Sequence, residues 1–252
     1  MSILVLGGTA DGRHLSQQLY HQGINVIYSV AGLVRIPDLD CEVISGGFSQ
    51  RGGLVHFIQQ RHITAIIDVT HPYAQTMSNT AVDAAKACHI PCWRFHRLPW
   101  EPQTTDQWQE CQTFAEAIPL LQTKHSVFLS AGQLSQEQIN QLLLNIRKTQ
   151  QQRQWLRTAV KPNVKLPKTM QWIKAIGPFS YDNELQLLKQ YRVDIIVSKN
   201  SGGEATIAKL QAARALSIPV IMLQRPELKH ADKTFHSLTE CEKQLIATFK
   251  PQ

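Results

Sequence analysis

Apolar residues along this chain gather in short unbroken runs, separated by stretches in which they recur every three or four positions. The runs at 3–6, 25–27 and 65–67 carry almost no polar alternation, as expected of strands covered on both faces. In the first half the pattern predicts strands at 3–6, 25–29, 42–45, 65–69 and 92–95, with helices over 11–22, 50–61 and 75–88. Gly23 stands where a helix C-cap glycine belongs. The stretch 98–113 changes character: Pro99, Pro102, Trp100 and Trp108 are set among polar residues, which predicts a connection between domains. Beyond it the alternation resumes, with strands at 126–130, 154–160, 171–176, 194–198 and 219–223. Helices are predicted over 114–122, 135–147, 181–191, 204–216 and 238–249.

Strand alternating with helix implies βαβ units and parallel sheets. The expected fold is therefore α/β, with two Rossmann- or flavodoxin-like three-layer domains. The first is drawn at 1–100 as a dinucleotide-binding domain, and the second at 113–252. Ligands are expected at the carboxyl ends of the strands, in a cleft between the two.

Composition narrows the function. With 43% hydrophobic residues the chain can bury a core, and no run reaches the ~18 apolar residues of a membrane helix. The first strand begins within three residues of the start, leaving no space for an export signal, so a cytoplasmic location is expected. Five cysteines without a CxxC pair read as free thiols. Cys88, His89, Cys92 and His96 lack the spacing of a zinc site, so no metal is expected. The formal charge of +7 calls for an anionic partner, but the cations are dispersed rather than striped. That argues for a phosphorylated cofactor or polycarboxylate and against nucleic acid.

The first candidate site is Gly7-Gly8-Thr9-Ala10, directly after the first strand and opening the first helix. There backbone N–H groups can meet a pyrophosphate. The second strand ends at Ser29, and Gly32 and Arg35 follow with no carboxylate before Asp38. An NAD site places Asp or Glu there for the ribose 2′-OH, whereas Ser29 and Arg35 suit a 2′-phosphate, favouring NADPH while leaving NADH possible. Gly46-Gly47-Phe48 ends the third strand and Thr70-His71-Pro72-Tyr73 the fourth, making Gly47, Thr70 and His71 further cofactor candidates. His71 and Tyr73 are candidate proton donors, with solvent as the alternative. Lys199-Asn200-Ser201-Gly202-Gly203 lies between a predicted strand and helix and, with Arg225, suits substrate carboxylates.

Taken in order, Gly7-Gly8-Thr9, Ser29-x-Ala31-Gly32, Gly46-Gly47-Phe48, Asp68-x-Thr70-His71-Pro72-Tyr73-Ala74 and Lys199-Asn200-Ser201-Gly202-Gly203 resemble the precorrin-6A reductase family. Ile176-Gly177-Pro178-Phe179 and Arg225-Pro226 add to the match, which spans nearly the whole chain. The resemblance implies reduction of one double bond in the tetrapyrrole precursor of cobalamin by a nicotinamide cofactor, with or without cobalt in the ring. It departs from the family pattern at Leu33, where Arg follows Ala-Gly, and at Gln133, where a basic residue stands. A nucleotide-binding sensor without turnover is the competing class. A two-lobed periplasmic-type binding protein conflicts with the expected location. The sequence leaves the oligomeric state open.

Overall fold

The computed structural model describes residues 2–31, 36–149 and 152–251, with side chains for all of these except 145–149. The chain divides into two compact units, one formed by residues 1–98 together with 226–252 and the other by 99–225.

In chain order the first unit holds β1 (Ser2–Leu6), α1 (Ala10–His21), β2 (Asn25–Val30), β3 (Glu42–Ser45), α2 (Leu54–Gln60), β4 (Ile63–Asp68), α3 (Gln75–Ala87) and β5 (Cys92–Phe95). The second holds β6 (Trp108–Cys111), α4 (Phe114–Leu120), β7 (Ser126–Ser130), α5 (Gln136–Thr149), β8 (Arg153–Thr158), β9 (Met170–Lys174), α6 (Tyr181–Gln190), β10 (Ile195–Lys199), α7 (Glu204–Ala215) and β11 (Val220–Leu223). The chain then returns to the first unit as β12 (Lys233–Phe235) and α8 (Leu238–Phe249).

Both sheets are six-stranded and parallel throughout. The first runs β12-β5-β4-β1-β2-β3 and the second β6-β11-β10-β7-β8-β9. Read from the far edge, the first is the 3-2-1-4-5-6 order of a dinucleotide-binding fold; the second repeats 3-2-1-4-5 over β7 to β11, and its sixth place is taken by β6, which precedes them in the chain. The order reverses between β1 and β4 and between β7 and β10. The expected α/β architecture with two parallel sheets is thus the observed one.

Helix starts follow capping chemistry. Thr9, Thr113, Ser180 and Ser237 each accept, through the hydroxyl, from the N–H three residues on. Apolar layers cover both faces of each sheet. In the first unit Leu15, Leu19, Cys241 and Leu245 line one side, with Phe57, Ile58, Ala81 and Ala85 on the other. In the second, Ala117, Leu121, Ile139 and Leu142 line one side, opposite Leu188, Leu210 and Ala213.

Three sequence expectations need correction. The sequence pattern puts the second unit at 113–252, but residues 226–252 belong to the first. There β12 pairs with β5, and Cys241 and Leu245 of α8 are fully buried beside Leu15 and Leu19. The 98–113 stretch is not a bare connection: Arg214 grips Asp106 through two hydrogen bonds of 2.9 and 3.0 Å, and β6 pairs with β11. The helix expected over 50–61 starts only at Leu54. Residues 48–51 form a 3-10 turn that ends at Gly52 and Gly53.

Because Leu245 is completely buried in the layer that α8 supplies to the first unit, Leu245→Ala is expected to lower the unfolding free energy by about 2–5 kcal/mol in urea titrations. A loss below about 1 kcal/mol would mean that the returning segment is not part of that core.

Candidate functional sites at the two switch points

In the first unit the switch point lies between the loops after β1 and β4. Gly7 N donates to Ser29 O at 2.8 Å, seating the turn against β2. A Cβ on Gly7 would fall 2.1–2.3 Å from the ring of the fully buried Tyr28, so only glycine fits. Gly8 adopts φ +105 with open space where a Cβ would stand, and its N–H donates to the Tyr28 hydroxyl at 2.9 Å. Burial pushes the Tyr28 phenol above its ordinary pKa. Thr9 then caps α1: its hydroxyl accepts from Gly12 N at 3.0 Å and donates to Val69 O at 2.9 Å, joining the two switch-point loops. The N–H groups of Ala10 and Asp11 open the helix and have, by position, no acceptor inside it. Asp11 Oδ2 lies 3.1 Å from Arg97 Nε, without hydrogen-bond alignment. That cation offsets a carboxylate beside an N-terminus otherwise suited to an anion.

The β4 loop is held by a buried ion pair. Arg94 Nε donates to Asp68 Oδ2 at 2.8 Å, with both side chains nearly inaccessible. Arg94 also donates to Lys229 O at 2.8 Å and Ser78 O at 3.3 Å, while Asp68 Oδ1 accepts from the hydroxyl and N–H of Thr70 at 2.7 and 3.2 Å. His71 is exposed and its Nδ1 accepts from Tyr73 N at 3.3 Å. With Nδ1 accepting, a neutral ring carries its proton on Nε2.

Other expected residues are distributed around this corner. Ser29 is buried in β2. Gly47 caps the 3-10 turn after β3, and Gly46 N donates to Val30 O at 3.1 Å. Gly32 and Arg35 lie outside the described residues. Sequence reasoning did not single out Tyr28, nor a cleft of about 440 Å³ beside α1, lined in part by Arg13, His14, Gln17 and Asp40.

In the second unit the switch point holds the loops after β7 and β10. Lys199 Nζ comes to 3.6 Å from where a Cβ of Gly132 would stand, and burial pulls its ammonium below the ordinary lysine value. Gly203 caps α7 without a side chain, and Ser201 Oγ is 3.1 Å from Thr206 Oγ1. Asn200 and Arg225, expected on substrate carboxylates, have structural partners. Asn200 accepts from Trp100 N at 2.8 Å and donates to Trp100 O at 2.9 Å, while Arg225 Nε donates to Asn200 O at 2.8 Å. Polar groups at strand ends serve as readily to tether a crossing segment as to meet a ligand, and here they tether it. Gln133 donates to Val160 O at 2.9 Å, tying the β7 and β8 loops.

Below these loops lies a second buried charge cluster. Arg157 pairs with Glu184 at 2.5 Å, donates to Ser130 Oγ at 3.2 Å and lies against the rings of Phe128 and Phe179. Lys209 donates to Thr206 O at 2.9 Å and sits over Trp100.

Residues 2–245 match the family model of the precorrin-6x reductases CbiJ/CobK. The chain is 36% identical over 237 residues to a precorrin-6A reductase of Rhodococcus erythropolis, covering 92% of each. It is 28% identical over 237 residues to a cobalt-precorrin-6A reductase of Priestia megaterium, covering 90% of this chain and 92% of that one. Among solved structures, CobK precorrin-6A reductase superposes with a TM-score of 0.87 at 31% identity, covering 98% of this chain and 96% of the other.

Two outcomes follow from the local geometry. Gly7→Ala drives a methyl into Tyr28, so a loss of about 1–3 kcal/mol is expected in urea unfolding. Combined with Tyr28→Ala it is expected to cost less than the sum of the single changes; strict additivity would mean the two do not touch. Burial, then the charge of Arg157, brings the Lys209 pKa down to about 7 from 10.5, although Glu184 acts in the opposite direction. Between those values the folded state holds fewer protons than the unfolded chain, so stability should rise with pH from about 7 to 10.5 and level off above. Lys209→Met is expected to flatten that slope and add about 1–4 kcal/mol at pH 7. A slope unchanged by Lys209→Met would refute the assignment.

Proposed function

Because this chain belongs to the precorrin-6x reductase family, an oxidoreductase family, we propose that it reduces one double bond of the precorrin-6A macrocycle in cobalamin biosynthesis, with NADPH as hydride donor. Identity of 36% to a precorrin-6A reductase against 28% to a cobalt-precorrin-6A reductase favours the metal-free ring. The observation that carries the reading is the β1–α1 corner, where a glycine turn with open space over Gly8 meets an uncapped pair of helix N–H groups at the switch point. That cradle fits a pyrophosphate, and a side chain at Gly7 or Gly8 would spoil it. The five cysteines, all free, fit a cytoplasmic setting, and among the described residues no helix is long and apolar enough to cross a membrane.

When bound, the nicotinamide supplies the hydride. The chain's own residues bind, orient and protonate. Gly7, Gly8, Thr9 and Ala10 hold the bridging phosphates, with Tyr28 fixing the turn from below. Gly47 and Thr70 flank the same edge of the sheet. From their place in the sequence after β2, Gly32 and Arg35 would serve the ribose together with Ser29, and Arg35 would select the 2′-phosphate. We assign to His71, beside Tyr73, the proton that goes to the carbon next to the reduced position: the ring would be charged before the transfer and left neutral, with its remaining proton on Nδ1, after it. On the second unit Lys199, Ser201, Gly202, Gly203 and the first turn of α7 meet the ring's carboxylates, and Asn200 and Arg225 hold that loop in shape.

Mixing the purified protein with NADPH and precorrin-6A should oxidise the cofactor and shift the pigment spectrum; cofactor left unoxidised and an unchanged spectrum together reject the reading. Separate titrations should show NADPH binding more tightly than NADH. Arg35→Ala is expected to weaken NADPH by about 1.5–3 kcal/mol, the scale of a charged hydrogen bond, and to leave NADH untouched. Equal losses for both would remove Arg35 from phosphate selection.

A further inference from the structure

The Ile176-Gly177-Pro178-Phe179 stretch has no part in the chemistry above, yet its surroundings are built. It follows β9 and leads into α6. From within, Phe179 lies 4.1 Å from the Arg157 guanidinium, its N–H donates to Ala205 O at 3.0 Å, and Ser180 caps α6 through Asn183 N. The backbone is therefore fixed just after Pro178, and before it Ala175 N donates to Thr158 O. Outwardly, the same six residues present Ile176 at 59% exposure, Pro178 exposed, and Tyr181 at 40%. Elsewhere Tyr20, Val55 and Leu144 are exposed on separate helices, and Ile36 and Leu98 in separate loops; here Ile176, Pro178 and Tyr181 fall within six residues of an anchored loop and the first turn of α6.

The charge around the loop matters equally. Lys174 ends β9 opposite Thr158 of β8, and Lys161 follows three residues after Thr158; both lysines are exposed. The strand ends are bound together, since Ala175 N donates to Thr158 O at 3.2 Å and Thr158 Oγ1 to Val160 O at 2.7 Å. An apolar lip with cations at its edge complements a ligand whose flat face is hydrocarbon and whose rim carries carboxylates.

We infer that Ile176, Pro178 and Tyr181 form a rigid shelf for the face of the tetrapyrrole ring, with Lys161 and Lys174 meeting its peripheral carboxylates. This rests on the reductase reading above. A shelf fixed before the ligand arrives loses little conformational freedom on binding. It also tolerates substrate and reduced product alike, because apolar contact with a ring face does not depend on the one bond that changes.

The test is steady-state NADPH oxidation with enzymatically prepared precorrin-6A, alongside direct NADPH titration. Ile176→Ser/Tyr181→Ser is expected to raise KM for the macrocycle tenfold or more, and Lys161→Ala/Lys174→Ala about fivefold with a weaker salt dependence. Both should keep NADPH affinity within twofold of the parent. Leu144→Ser, an exposed apolar residue on α5, should change neither. A parent protein that reduces no macrocycle sinks the reductase reading itself. An active parent whose shelf variants retain the parental KM sinks the shelf alone, as does a shelf variant that changes only the sedimentation coefficient.

Discussion

The buried pairing of Asp68 with Arg94 organises the first unit. Neither charge is hydrated, so each must be satisfied by the protein, and the partners that satisfy them come from distant parts of the chain. Asp68 orders the Thr70 loop, while Arg94 reaches the carbonyls of Ser78 and Lys229. One guanidinium thereby holds together the end of β4, the start of α3 and the segment returning from the second unit. Thr9, bonded to Val69 O, then registers the glycine turn against that frame. The second unit repeats the device with Arg157 and Glu184 beneath the loops after β7 and β9. In both, desolvated charge is placed at the carboxyl edge of a sheet, where loop geometry has to be exact for ligand contact and apolar packing alone specifies it poorly.

Much of this was legible in the residues, for a physical reason. Central parallel strands are covered on both faces, so 3–6 and 65–67 announce themselves as unbroken apolar runs. Four helix starts have a local cause in the residues, since Thr and Ser caps satisfy orphan N–H groups three positions on. Two of the four edge strands escape such reading: Trp108–Cys111 sets Gln109 and Glu110 side by side between its apolar ends, and Lys233–Phe235 is three residues long. What makes them strands is the partner that awaits them. Their omission misdirected the domain boundary, because it left 226–252 with the half it follows in sequence.

The sites divide along the same line. Gly7-Gly8-Thr9 was visible because its meaning lies in adjacent residues. Tyr28 was not, because it acts on Gly7 across the β1–β2 ladder, twenty-one positions away in sequence. Asn200 and Arg225 are legible as polar strand ends, but their chain partners, Trp100 and the Asn200 carbonyl, are not, since composition does not say what a polar strand end reaches.

The sixth strand of each sheet has a consequence for how the molecule comes into being. β6 follows β5 in sequence yet completes the other sheet, and β12 follows β11 yet returns to the first. As the polypeptide leaves the ribosome, the amino-terminal sheet must wait with one flank of β5 uncovered until the whole second unit and then β12 have been synthesised. Closure of the earliest-made lobe is thus coupled to synthesis of the other: a polypeptide terminated before residue 233 lacks the strand that covers β5 and leaves a raw edge open to quality control.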